Sequence, residues 1–155
     1  MSKVVILMGS KSDSDIAAKA AETLTGLGIE SDTLVLSAHR TPDEATTFAK
    51  QAAEQGYSAI IGIAGLAAHL PGVLASHTLL PVIGVPRSAG PLNGVDALYS
   101  IVQMPPGIPV ASVGIDNATN AALLAARIIA LSDEGVRAKL AAYVKEMHDK
   151  ILAGG

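Results

Sequence analysis

The chain has 155 residues, half of them hydrophobic and 16% charged, which suits one folded domain with its own core and excludes a disordered chain. Eleven Lys and Arg against fourteen Asp and Glu give a net charge of −3, so there is no basic patch for nucleic acid and no basic amphipathic segment for a membrane surface. The absence of Cys excludes thiol nucleophiles, disulfide scaffolds and Cys-ligated zinc, and with no Trp and one Phe the core must come from Ala, Val, Ile and Leu.

In chain order, Lys3 to Met8 predicts a buried strand. It is too short for a membrane span or a typical signal segment, so a soluble cytoplasmic protein is expected. Ser14 to Leu27 predicts a helix with Ile16, Ala17, Ala20, Ala21, Leu24 and Leu27 on one face, stopped by Gly28. Thr33 to Leu36 is a second strand. Thr41-Pro42-Asp43-Glu44 reads as an N-cap, a Pro at the first helical position and acids in the first turn of a helix running to about Gln55. Ser58 to Ala64 is a third strand, Leu70 to His77 a short helix, Pro81 to Val85 a fourth strand, Val95 to Gln103 a helix and Pro109 to Ile115 a fifth strand.

Strands apolar on both faces and joined by helices predict an α/β fold. We expect a flavodoxin-like three-layer sandwich around a five-stranded parallel sheet in the order 2-1-3-4-5, one domain over residues 1–155. Two further helices follow. Ala118 to Leu131 is apolar on nearly every side, and a helix starting at Asp133 carries the stripe Val136, Leu140, Tyr143, Val144, Met147 and Ile151. One small domain has little room to bury both, so residues 133–155 are expected to serve contacts between subunits; the alternative is that the last helix packs on its own sheet.

Ligands of such sheets bind beyond the carboxyl ends of the strands, where strand order reverses. Four polar loops lie there: Gly9 to Asp13, Ser37 to Thr41, Gly65 to Gly72 and Val85 to Gly90. Gly9-Ser10-Lys11-Ser12-Asp13 suits an anion: a tight turn, two hydroxyls and the free N–H groups of a helix start. Asp13 would repel a phosphate but can accept from ribose hydroxyls. Ser12 and Asp13 are equally suited to capping the helix alone. Ser37-Ala38-His39-Arg40-Thr41 joins a side chain that shuttles protons near neutral pH to a planar fork that grips phosphate. Gly65, Ala67 and Ala68 allow close backbone approach before His69, and Arg87, Asn93 and Asp96 stand between a place at the pocket border and an ordinary loop role. His77 and His148 are assigned nothing. No metal-ligand spacing and no nucleophile-elbow motif is present.

Five segments in order, Gly9 to Asp13, Ser37 to Pro42, Ala67 to Gly72, Ser100 to Pro105 and Asn120 to Ala125, cover nearly the whole chain and resemble the PurE family of purine synthesis. His39-Arg40, and His69 before Leu70-Pro71-Gly72, resemble its class I branch, the N5-carboxyaminoimidazole ribonucleotide mutases. The resemblance implies that a carboxylate moves from the exocyclic nitrogen to ring carbon 4, with no cofactor and no metal. It implies His39 as the acid/base, Ser10, Ser12, Asp13, Ser37 and Arg40 as the ribose phosphate site, and a homo-octamer. Gly65, Leu66 and His69 are expected at the substrate as well. Two stretches depart from the family pattern. Gly62-Ile63-Ala64-Gly65-Leu66 replaces Ala-Gly-Ala-Gly-Gly, and Arg87-Ser88-Ala89-Gly90-Pro91 replaces Val-Gln-Ser-Ala-Ala. We expect the Leu66 side chain to turn into the core behind its loop. The alternatives are a carboxylase using free carbon dioxide and a non-catalytic phosphosugar-binding module.

Overall fold

The computed structural model describes residues 2–155. Its strands are β1 (Lys3–Met8), β2 (Glu30–Val35), β3 (Tyr57–Gly65), β4 (Val82–Arg87) and β5 (Ala111–Ser112). Its helices are α1 (Ser14–Gly26), α2 (Pro42–Gln51), α3 (Leu70–Ala75), α4 (Val95–Val102), α5 (Ala118–Ile129) and α6 (Glu134–Leu152). A 3₁₀ turn, Lys11–Asp13, leads into α1. All strand pairings are parallel and the order is β2-β1-β3-β4-β5, as the alternation of strands and helices predicts.

The pleat sends alternate side chains to opposite faces, and each face has its own core. Val4, Ile6 and Met8 join Ile61, Ile63, Ile83 and Val85 under α1 and α5. Val5 and Leu7 join Ile60 and Val82 under α2, α3 and α4. Gly62 and Gly84 stand side by side on β3 and β4. A Cβ on Gly62 would come within 3.3 Å of Pro71 Cγ, and one on Gly84 would clash first with Ile101 Cγ2 of α4 and then meet Pro71, so these two glycines let α3 and α4 lie close on the sheet.

Four expectations change. β2 starts three residues earlier than predicted, because the polar run Glu30-Ser31-Asp32 is tolerated on an edge strand whose side chains are largely exposed. α2 ends at Gln51, and residues 52–56 form turns. The fifth strand, expected from Pro109 to Ile115, shrinks to two residues. Its neighbour β4 carries Pro86, which has no N–H to continue the ladder, and later contact is reduced to single bonds such as Asp116 N–H to Pro86 O at 2.8 Å.

The fourth concerns α5, which the chain itself covers. Ala118, Ala121, Ala122, Ala125, Ala126 and Ile129 are buried in the same core as Ala17, Ala20 and Leu24 of α1, while Arg127 is exposed. Small side chains on both helices allow that close approach. α6 differs. Asp133 caps it, accepting from Val136 N–H at 3.0 Å, and Val136 is buried with Leu140 and Tyr143 packed partly against the core. Beyond them Val144, Met147, Ile151 and Leu152 are exposed. Among the described residues no helix is long and apolar enough to cross a membrane.

Candidate active site

The loops after β1, β2, β3 and β4 meet over the sheet where strand order reverses around β1 and enclose a cleft of about 540 Å³. Ser10, Ser12, Asp13, Ser37, His39, Arg40, Gly65, Leu66 and His69 all line it, so every residue expected at the site is brought to one place.

The first loop folds back on itself. Ser10 Oγ accepts from Ser12 N–H at 3.3 Å and from Ser12 Oγ at 3.0 Å, so Ser10 is the cap of the 3₁₀ turn. Asp13 stands at the N-cap position of α1 but makes no side-chain capping bond, so capping does not explain it. It is 6% exposed, and burial raises its pKa above the ordinary carboxylate value although Arg87 and a backbone hydrogen bond from Ser10 oppose the rise.

The second loop is pinned at both ends. Thr41 occupies the N-cap position of α2, yet its hydroxyl turns back, accepting from Ser37 N–H at 2.8 Å and donating to Ser37 O at 3.1 Å. Ser37 Oγ accepts from Arg40 N–H at 3.1 Å and from Arg40 Nε at 3.4 Å. Arg40 Nη2 donates to Gly9 O at 2.8 Å, which ties this loop to the first one. The guanidinium is thereby held in the cleft that Ser10 and Ser12 also line, and among the described residues its Nη1 has no hydrogen-bond partner, which leaves donors for a ligand anion.

His39 and His69 approach across the cleft. His39 Nε2 lies 2.7 Å from His69 Nδ1, with the rings edge-on, 4.7 Å between centroids and 69° between planes. At that distance one ring donates a hydrogen to the other. His69 owes its place to α3, which starts at the next residue and packs on Gly62 and Gly84.

Leu66 corrects the expectation that its side chain enters the core. It is 52% exposed, it lines the cleft, and its φ of 54° is in the left-handed region. A glycine meets no steric cost there, whereas a side chain costs roughly 1–2 kcal/mol. Ala68, in contrast, is buried in the core, so the apolar wall of the cleft is Ala64, Gly65, Leu66 and Ala67.

Of the three undecided residues Arg87 lines the cleft, and Asn93 and Asp96 do not. Asn93 sits at φ 51° in the turn before α4, and Asp96 Oδ1 accepts from Ala97 N–H inside that helix. Ala89, in the fourth of the polar loops, also lines the cleft. The signal for it is the place of that loop beyond the carboxyl end of the fourth strand.

A family model described as AIR carboxylase matches residues 3–150. The N5-carboxyaminoimidazole ribonucleotide mutase of Pyrococcus horikoshii is 53% identical over 148 residues, covering 96% of this chain and 84% of that protein. The Escherichia coli protein of the same name is 50% identical over 152 residues, covering 97% and 90%. A crystal structure of Treponema denticola PurE superposes with a TM-score of 0.91 at 34% identity, covering 99% of this chain and 96% of that one. With a family model matching nearly its whole length and close relatives of similar size, the chain belongs to the AIR carboxylase family.

Proposed function

We propose that the chain is an isomerase of purine biosynthesis that converts N5-carboxyaminoimidazole ribonucleotide to 4-carboxy-5-aminoimidazole ribonucleotide. The observation that carries this reading is the pair His39–His69, 2.7 Å apart, in a cleft that Arg40, Ser10 and Ser12 also line. The phosphate binds at Arg40, Ser10, Ser12 and Ser37, and the ribose hydroxyls donate to Asp13. Anchoring at these groups orients the ring toward the histidines.

The bond from the exocyclic nitrogen to the carboxylate then breaks, carbon dioxide leaves, and His39 gives its proton to that nitrogen. Carbon 4 attacks the trapped carbon dioxide and forms the new carbon–carbon bond. His39 removes the carbon 4 hydrogen, which restores aromaticity and returns the proton to the imidazole. No proton is gained or lost overall. His69 holds the His39 ring through their hydrogen bond, and the apolar wall from Ala64 to Ala67 retains the gas between the two steps.

The exposed stripe on α6 supports a homo-oligomer, an octamer in our reading, in which Val144, Met147 and Ile151 are covered by other subunits. The expected location is the cytoplasm.

Purified protein mixed with N5-carboxyaminoimidazole ribonucleotide should form the carbon 4 carboxylated product without added bicarbonate. His39→Asn should lower turnover by about 10²-fold or more while leaving substrate binding nearly unchanged. Product formed from aminoimidazole ribonucleotide only with bicarbonate would identify a carboxylase instead. Binding without turnover of either would identify a non-catalytic module.

A further inference from the structure

Arg87, at the end of β4, lies against three carboxylates. Its Nε is 3.6 Å from Asp13 Oδ1, its Nη2 3.3 Å from Asp15 Oδ1, and its Nη1 3.6 Å from Asp116 Oδ1. The side chains of Asp15 and Asp116 are 62% and 35% exposed, so water solvates them in part. Asp13 is buried, makes no capping bond, and depends most on a neighbouring cation. Arg87 is itself restrained. Asp116, at φ 61°, accepts from Ser88 N–H at 2.9 Å and from the Ser88 hydroxyl, which fixes the turn before α5 against the end of β4. With its fork shared among three anions, Arg87 is poorly placed to take up a substrate carboxylate of its own.

We propose that Arg87 is a positioning residue: lying against Asp13, Asp15 and Asp116, it keeps the buried Asp13 carboxyl ionised at the edge of the cleft. Its use for ribose hydroxyls rests on the activity proposed above. The charged groups facing Asp13 are Asp15 from α1, Arg87 from β4 and Asp116 from the turn before α5, with a Ser10 backbone hydrogen bond from its own loop. One cation therefore balances three anions, and its loss leaves Asp13 buried beside two like charges. The position carries Val in the family pattern quoted above, so this arrangement belongs to the Arg87 loop of this chain.

The test compares Arg87→Met, Arg87→Lys and Asp15→Asn. Titration of the Asp13 side-chain carboxyl by carbon NMR in the ligand-free protein is the first readout. The midpoint should rise by about one pH unit in Arg87→Met, return most of the way in Arg87→Lys, and fall in Asp15→Asn. The second readout is the pH profile of kcat/KM. In Arg87→Met its acid limb should move up by the same amount, while the value on the alkaline plateau stays within about twofold of the unmodified enzyme. An unmoved Asp13 midpoint in folded Arg87→Met, or equal loss of kcat/KM at every pH, overturns the proposal. If Arg87→Met does not fold, Asp15→Asn decides: a lowered midpoint upholds the charge cluster around Asp13, and an unchanged one overturns it. The titration needs no substrate. A moved midpoint therefore upholds the proposal even if the unmodified protein turns nothing over, a result that would sink the activity reading alone.

Discussion

A Cβ placed on Gly90 would stand 2.8 Å from Leu66 Cδ2, so the leucine fills the space that a side chain at position 90 would need. Both residues have left-handed backbone, φ 54° for Leu66 and φ 66° for Gly90. In the family pattern the first position is Gly and the second is Ala. Bulk has moved here from one cleft loop to the other.

The two positions should therefore be coupled. Gly90→Ala alone is expected to cost about 1–2 kcal/mol, from the positive φ and the clash. Leu66→Gly alone should change stability by less than about 1 kcal/mol, because relief of backbone strain offsets the loss of a half-exposed side chain. The double variant should be more stable than the sum of the single changes predicts, by about 0.5–1 kcal/mol in a double-mutant cycle followed by denaturant unfolding. Strict additivity would show that the loops do not share this space. Since Leu66 borders the cleft, Leu66→Gly should also release free aminoimidazole ribonucleotide during turnover, seen by product analysis.

At the anion site, Arg40→Ala should weaken binding of the phosphorylated substrate by about 10- to 100-fold, the usual range for a hydrogen bond to a charged group. Ser12→Ala should act in the same direction with smaller effect. Binding of the dephosphorylated nucleoside should change little in either variant. Calorimetry with both ligands checks this, and equal losses would remove the two residues from the phosphate site.

Near the amino ends of the strands, away from the cleft, Tyr57 donates its hydroxyl hydrogen to Asp32 Oδ2, which also meets Lys3 Nζ at 2.6 Å. Burial, then the bond to Asp32, pushes the Tyr57 hydroxyl up to about 12. A pKa raised above the roughly 10 of an unfolded tyrosine stabilises the fold fully below pH 10, and that contribution is lost as pH rises through the folded value. The stability advantage of the unmodified protein over Tyr57→Phe should thus be constant below about pH 10 and fall steadily as pH rises from there through about 12. Denaturant titrations at several pH values across that window measure it. A constant advantage at every pH would mean that the hydroxyl's contribution does not depend on its proton.

Removing α6 by ending the chain after Ser132 should abolish the assembled state. The full chain is expected to sediment as a large homo-oligomer, and the shortened one as smaller species or aggregate. A full-length monomer at micromolar concentration would disprove a packing role for the stripe from Val144 to Ile151.

The strand order and the meeting of four loops were legible in the sequence because buried parallel strands announce themselves as apolar runs and their helices as periodic faces. Ser10, Ser12, Asp13, His39, Arg40 and His69 could be placed at one edge on that ground alone. What stayed hidden depended on partners distant in the chain. The orientation of Leu66 is set by the sign of its φ and by the empty side of Gly90, 24 residues later. The short β5 follows from a proline in its neighbour. The position of Arg87 depends on three carboxylates from two other segments. The cover over α5 is hidden in the sequence because its alanines, merely apolar there, are what allow α1 to come close.

The absence of side chains at Gly62 and Gly84 has a bearing on where this protein is vulnerable. α3 rests on those two bare positions, and His69 stands at its first turn. A methyl group added at Gly62 would press on Pro71, lift the helix and carry the imidazole away from its partner, without touching any residue that a ligand meets. Inactivating changes in this chain need not cluster around the cleft. Some should fall in the interior of β3 and β4, leave a folded molecule that still captures its ligand, and betray themselves only as a widened gap between two rings.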